Sequence, residues 1–208
     1  MKSTSKLYWS AVVIPFWLAI GVYVTGVFYP EYSHFNQAMS ELGAIGSPVH
    51  SLSPLINNYP LAILFCTFGY VLIVNFKISK WVILSGLLII IHGLSSALAG
   101  YFTCDIRCNL DSQLLSQSIH NWAGLVMFFS LLLANIIWLF LSKKYLHSDG
   151  FIIFSLLTAL AAIGLLPFMA KAVEEGVNFG LYQRLNYAVQ VVWLMVLALF
   201  LLRLRQVH

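Results

Sequence analysis

The chain has 208 residues, of which 61% are apolar and 9% charged, against about 25% charged in a soluble domain. A chain this short cannot hide so many apolar side chains from water, so composition excludes a water-soluble globule and makes the bilayer the solvent, with no residues left over for a separate soluble domain. The net charge of +4 is not gathered into a basic patch with interleaved aromatics, which argues against nucleic acid as a partner.

A helix needs about 20 apolar residues to cross the hydrocarbon. The first such run is Leu7 to Tyr29. It is longer than the roughly 7–15 residues of a signal-peptide core and no small-x-small cleavage site follows, so it reads as an uncleaved helix. Five more follow at residues 55–76, 81–102, 120–141, 151–170 and 185–202. They are continuously apolar rather than alternating, which excludes barrel strands, and helices satisfy their own backbone in lipid. The sequence therefore predicts an all-α, polytopic membrane protein: one domain over residues 1–208, built as a six-transmembrane-helix bundle.

Loop charge orients the bundle. Lys2 and Lys6 precede the first span, Lys77 and Lys80 separate the second and third, Lys143 and Lys144 the fourth and fifth, and Arg203 and Arg205 follow the sixth. All of these fall on one side of an even-helix topology, while Arg107, Lys171 and Arg184 fall on the other. Both termini are expected to be cytoplasmic, in the inner (plasma) membrane of a bacterium.

The three outer connections carry the chemistry. The first, from Pro30 to Pro60, has no Lys or Arg. Phe35 to Leu42 has the pattern of a short interfacial helix, and His34, Ser40 and Glu41 can transfer protons or ligate; Ser40 and Glu41 serve equally as helix caps. In the second, Cys104 and Cys108 lie four positions apart, a pair for a disulfide in an oxidising compartment, although four-residue spacing within a helix would misplace the sulfurs. Asp105 near the outer end of the third span and His120 at the start of the fourth could meet as a hydrogen-bonded pair or as two metal ligands, or each could face water. In the third connection Arg184 opens the last span, where the helix dipole disfavours a cation, so a carboxylate or phosphate partner is expected.

Inside the spans the ionisable residue is His92, about midway along the third, and such residues are functional candidates. A small and polar stripe of Ser85, Ser96, Ala99 and Thr103 shares its face; a packed histidine bonded to a neighbouring hydroxyl or carbonyl is the plainer alternative. Asn57 and Asn58 at the start of the second span, with Asn186 and Gln190 in the sixth, could line a polar cavity or serve as interhelical hydrogen bonds. His92 and His120 differ in depth by roughly 15 Å, which does not suit a bis-histidine haem.

The stretch Tyr32-Ser33-His34-Phe35-Asn36-Gln37-Ala38-Met39-Ser40-Glu41-Leu42-Gly43, with Asn57 or Asn58 after it, Gly100-Tyr101-Phe102-Thr103-Cys104-Asp105, His120, and Gly180-Leu181-Tyr182-Gln183-Arg184 resembles the bacterial membrane family catalogued as domain of unknown function nine-nine-eight. The resemblance spans most of the chain and implies six helices and no established activity. A looser similarity runs to eukaryotic six-helix proteins of the Frag1/DRAM/Sfk1 type, and a looser one still to alkaline ceramidase-like hydrolases. The paired histidines and seventh helix of those hydrolases are missing here.

Three functions follow as expectations. The first is a lipid hydrolase or transferase at the outer leaflet, with Glu41, Asp105, His120 and His92 as catalytic residues and Tyr32, His34, Ser40, Asn57, Asn58, Gln183 and Arg184 as binding residues. Zinc on His92, Asp105 and His120 is the cofactor these donor types could hold. The second is a non-catalytic lipid-binding, sensing or partner-binding protein, and the third a small-solute or proton-coupled carrier relaying through His92. Membrane lipids are the expected partners in each; the sequence sets no oligomeric state.

Overall fold

The computed structural model describes residues 6–109 and 112–206; Lys2 lies outside them. The described residues form seven α-helices: α1 (Trp9–Val27), α2 (Tyr59–Asn75), α3 (Lys80–Tyr101), α4 (Leu115–Tyr145), α5 (Asp149–Gly164), α6 (Leu166–Glu175) and α7 (Phe179–Gln206). There is no β-strand among the described residues. Counting α5 and α6 as one broken span, six helical segments are long and apolar enough to cross a membrane. Large apolar side chains such as Phe16, Ile20, Leu94, Phe140 and Leu157 face outward, as lipid-facing side chains do. The molecule is a polytopic integral membrane protein.

Local chemistry sets the helix ends. Ser79 and Ser148 cap α3 and α5 by accepting from Val82 N and Phe151 N. Pro60 and Pro167 lie in the first turns of α2 and α6, where a missing N–H costs nothing. Gly176, at φ 70°, ends α6 in the left-handed conformation that glycine adopts without strain.

Several predicted boundaries shift. The fourth span begins at Leu115 rather than His120, because Leu115 to Ile119 continue the helix beyond the apolar run. The fifth breaks at Leu165, two residues before Pro167, whose ring cannot follow a continuous helical turn. The sixth starts at Phe179, so Arg184 lies a full turn inside it. The interfacial helix expected over Phe35–Leu42 is only a 3-10 turn, Met39–Gly43, preceded by bends. The second span is entered through a π turn, Pro54–Asn58.

The helices close into a ring in the order α1, α2, α3, α4, α5, α7, with α6 laid against α5 and α7. The start of α1 and the end of α7 share one end of the bundle, called basal here. The basal half is solid: Tyr8, Phe65, Phe68, Trp138, Phe151 and Trp193 are fully buried in one cluster. The indole N–H groups of its tryptophans are paired, Trp138 Nε1 donating to Ser85 Oγ at 3.1 Å and Trp193 Nε1 to Ser155 Oγ at 3.0 Å. The packing loosens in the distal half, where α4 and α6 share little or no direct contact.

Candidate functional site

A cavity of about 730 Å³ fills the distal half of the ring. Its wall is mostly apolar, with Leu125, Phe128 and Phe129 of α4 on one flank and Leu166, Met169 and Val173 of α6 on the other. Polar groups come from every other direction: Ser40 and Glu41 from the first distal loop, Asn57 and Asn58 from the π turn, His92 and Ser96 from α3, His120 and Asn121 from α4, and Gln183 and Tyr187 from α7.

His120 is fixed by its own neighbourhood. Its Nδ1 lies 3.0 Å from both the Ala99 and Phe102 carbonyls at the distal end of α3. Carbonyls only accept, so Nδ1 carries the proton and donates. In the neutral ring Nε2 is then an acceptor, and it makes no hydrogen bond among the described residues. His92 is held in the same tautomer: Nδ1 donates to the Met127 carbonyl at 2.9 Å, and Nε2 accepts from the Tyr187 hydroxyl at 2.9 Å. Both His92 nitrogens are therefore engaged, and the plainer of its two readings, a packed histidine bonded to a hydroxyl and a carbonyl, describes it.

Glu41 combines two roles. Its Oε1 accepts from Ala38 N at 2.8 Å, capping the 3-10 turn, and its Oε2 accepts from Gln37 Nε2 at 3.0 Å; each oxygen keeps a second lone pair. Ser40 Oγ lies 3.3 Å from Cys108 Sγ. Cys104 and Cys108 form the disulfide that their spacing offered, and they are not on a regular helix, which would misplace the sulfurs. The backbone leaves the helix instead, with φ of 54° at Arg107 and 51° at Cys108, and this turn brings the sulfurs together.

Four predicted site residues, Asp105, Tyr32, His34 and Arg184, stand apart from the cavity. Asp105 and His120 do not meet. Asp105 accepts from Ser112 Oγ at 2.6 Å and from Ile106 N at 2.7 Å, bonds that hold its carboxyl below the usual carboxylate range. Arg184 makes no ion pair with a carboxylate among the described residues. Nη1 donates to the carbonyls of Gln37 and Gly180, both at 2.9 Å, and Nη2 to the Tyr32 hydroxyl at 2.6 Å, with His34 Nδ1 at 3.4 Å. A second-turn position with four neutral acceptors takes the place of the expected anion. Tyr32, His34 and Arg184 thus form a joint that fastens the first distal loop to α7, behind the cavity wall. The Tyr32 hydroxyl is pushed up to about 12 by burial, against the opposing pull of Arg184, so it stays neutral and passes its own proton to the Ala38 carbonyl.

Gln183 serves both sides: its Oε1 accepts from Met39 N at 2.7 Å. Asn57 packs its Oδ1 where a Cβ on Gly21 would sit, and it clasps α1. Asn58 Nδ2 donates to the Ser96 carbonyl at 3.1 Å. No three His, Cys, Asp or Glu side chains come together as a metal site among the described residues. With His92 doubly bonded and Asp105 turned to Ser112, the proposed zinc ligands do not fit a metal. Tyr187 is the cavity residue that sequence reasoning missed, since a tyrosine in a span reads as an interfacial aromatic. The signal was its spacing: Gln183, Tyr187 and Gln190 fall at i, i+4 and i+7 and share the helix face that lines the cavity.

A family model described as "Protein of unknown function (DUF998)" matches residues 12–200, which takes in every element of the cavity. No curated protein and no solved structure matches the chain, so the looser likenesses to Frag1/DRAM/Sfk1-type and ceramidase-like proteins draw no support from them.

Proposed function

Because the chain belongs to the DUF998 family, whose description assigns no activity, we propose a function from the cavity: it receives the polar head of one membrane lipid or lipid-linked molecule. The supporting observation is the form of that cavity. It has the volume of a small-molecule site, apolar flanks on α4 and α6, polar groups opposite them, and little or no direct packing between the two flanks. An amphiphile entering there keeps its chain against Phe129 and Met169, in the bilayer, while its head reaches His120 and Glu41. Loop charge supports an outer-leaflet position for the cavity, in a bacterial plasma membrane with both termini cytoplasmic.

Gly124 supplies the test. It lines the cavity and has open space where a side chain would begin. Gly124→Leu should fill the site without disturbing the fold, because leucine is also the better helix former. Protein purified from membranes should carry a lipid enriched over the bulk extract, seen by mass spectrometry, and Gly124→Leu should lose it. Equal lipid in both proteins overturns the reading.

A lipid hydrolase or transferase is the second reading, supported by the unengaged Nε2 of His120. A neutral imidazole anchored through Nδ1–H is oriented to take a proton from water or an acceptor hydroxyl. Glu41 would stabilise the resulting imidazolium. His120→Gln should keep the bound lipid and lose its turnover; turnover unchanged in that variant removes the catalytic reading and leaves binding. A carrier relaying protons through His92 has less support, since neither of its nitrogens is open.

A further inference from the structure

We infer that the head received by this cavity is a neutral polyhydroxyl group, such as a glycerol or sugar, rather than a phosphate; the inference rests on the amphiphile-binding reading above and names its ligand class. The ground is the hydrogen-bonding capacity left over once each polar group has served its protein partners. His120 Nε2 is an open acceptor. Tyr187 spends its proton on His92 Nε2 at 2.9 Å, so towards a ligand its oxygen only accepts. The Glu41 carboxylate has donors on both oxygens and can accept again, and it brings a negative charge to the wall.

Two amide donors answer these acceptors. Asn121 accepts from Gln117 Nε2 through its Oδ1 at 2.9 Å, and Gln183 accepts from Met39 N through its Oε1. In each, the NH2 group makes no hydrogen bond among the described residues. A hydroxyl both donates and accepts, so a group carrying several pairs with both sets. A phosphate only accepts. It would leave His120 Nε2 and Tyr187 unpaired and set its charge against Glu41, which costs more in a low-dielectric wall than in water. Arg184 lies outside the cavity, with its Nη groups donating to four neutral acceptors. Arg107 does line the cavity, but it is exposed, and hydration weakens its pull on an anion.

The test uses the full chain in phosphatidylcholine nanodiscs, titrated with dodecylglycerol ether, dodecyl phosphate or dodecyltrimethylammonium, with thermal stabilisation as the readout. The glycerol ether should stabilise the wild type and not Gly124→Leu, and dodecyl phosphate should bind at least roughly tenfold more weakly, the worth of one or two hydrogen bonds. Glu41→Gln should narrow that gap by relieving the repulsion, a change of selectivity that a merely structural role would not produce. Tyr187→Phe should weaken the glycerol ether and leave the trimethylammonium compound unmoved. Phosphate binding as tightly as glycerol overturns the inference and leaves amphiphile binding standing. No difference between wild type and Gly124→Leu with any of the three overturns both.

Discussion

At the scale of single residues, Arg184 has the most neighbours to answer to. A half-buried cation is usually met by a carboxylate, yet the Nη groups of this one donate to carbonyls, a hydroxyl and an imidazole, its Nε has no partner, and its guanidinium lies over the Tyr32 ring at 5.7 Å. Lysine could not repeat the planar fork, so Arg184→Lys should lower stability by about 1–3 kcal/mol, read from thermal denaturation. Gly180 is bound to the same joint: a Cβ there would strike the Gln37 carbonyl, and Gly180→Ala should unseat the loop. His34 makes the joint sensitive to acid. Burial, and then the Arg184 guanidinium, hold its imidazole below the usual value of 6.5, while Tyr23 and Tyr32 pack against the ring without charge. The folded pKa is depressed, so the unfolded chain takes up the extra proton. Stability is complete above about pH 6.5 and falls as the pH drops through and below that value. Melting temperatures should therefore decline from about pH 7 towards about pH 5, and less steeply in His34→Gln; an equal slope in both removes His34 as the cause.

Among the elements, the tightest pair is α2 with α3, and glycine makes it so. A Cβ on Gly69 would meet the Gly86 carbonyl, and one on Gly86 would lie 2.7 Å from the Gly69 carbonyl. Backbones approach this closely only where side chains are absent. Gly86→Leu should cost about 1–3 kcal/mol through overpacking, visible as a lower melting temperature in detergent, whereas Gly124→Leu on α4 should not. The spans themselves were legible because apolar length is what the bilayer selects. Their ends were less so, because they depend on partners distant in sequence: Leu115–Ile119 look like loop until Ser116 is seen donating to the Thr103 carbonyl, and the break at Leu165 lies within an unbroken apolar run. The candidate site was legible by type and face, with Glu41, His92, His120, Asn57 and Gln183 all on the cavity wall. Arg184 and Asp105 were not, because residue type says what a side chain can bond and not which neighbour reaches it first.

For the whole molecule, one fact governs the distribution of chemistry: the ring is packed solid in its basal half and hollow in its distal half. The basal half holds the buried tryptophans and the basic groups, Lys77 and Lys80 at the turn from α2 into α3 and Lys143 and Lys144 in the last turn of α4. The distal half holds the long loops, the disulfide and the cavity. If lysine-rich connections remain in the cytoplasm and disulfides persist on the oxidising side, the two signals agree on one orientation by independent physics. Single cysteines placed in a Cys66→Ser background can decide it in intact cells. Ser51→Cys, exposed in the first distal loop, should react with a membrane-impermeant maleimide. Lys77→Cys should react only after the membrane is permeabilised. The reverse pattern would turn the protein over, deliver its cavity to the cytoplasmic leaflet, and change the pool of lipids from which a ligand could come.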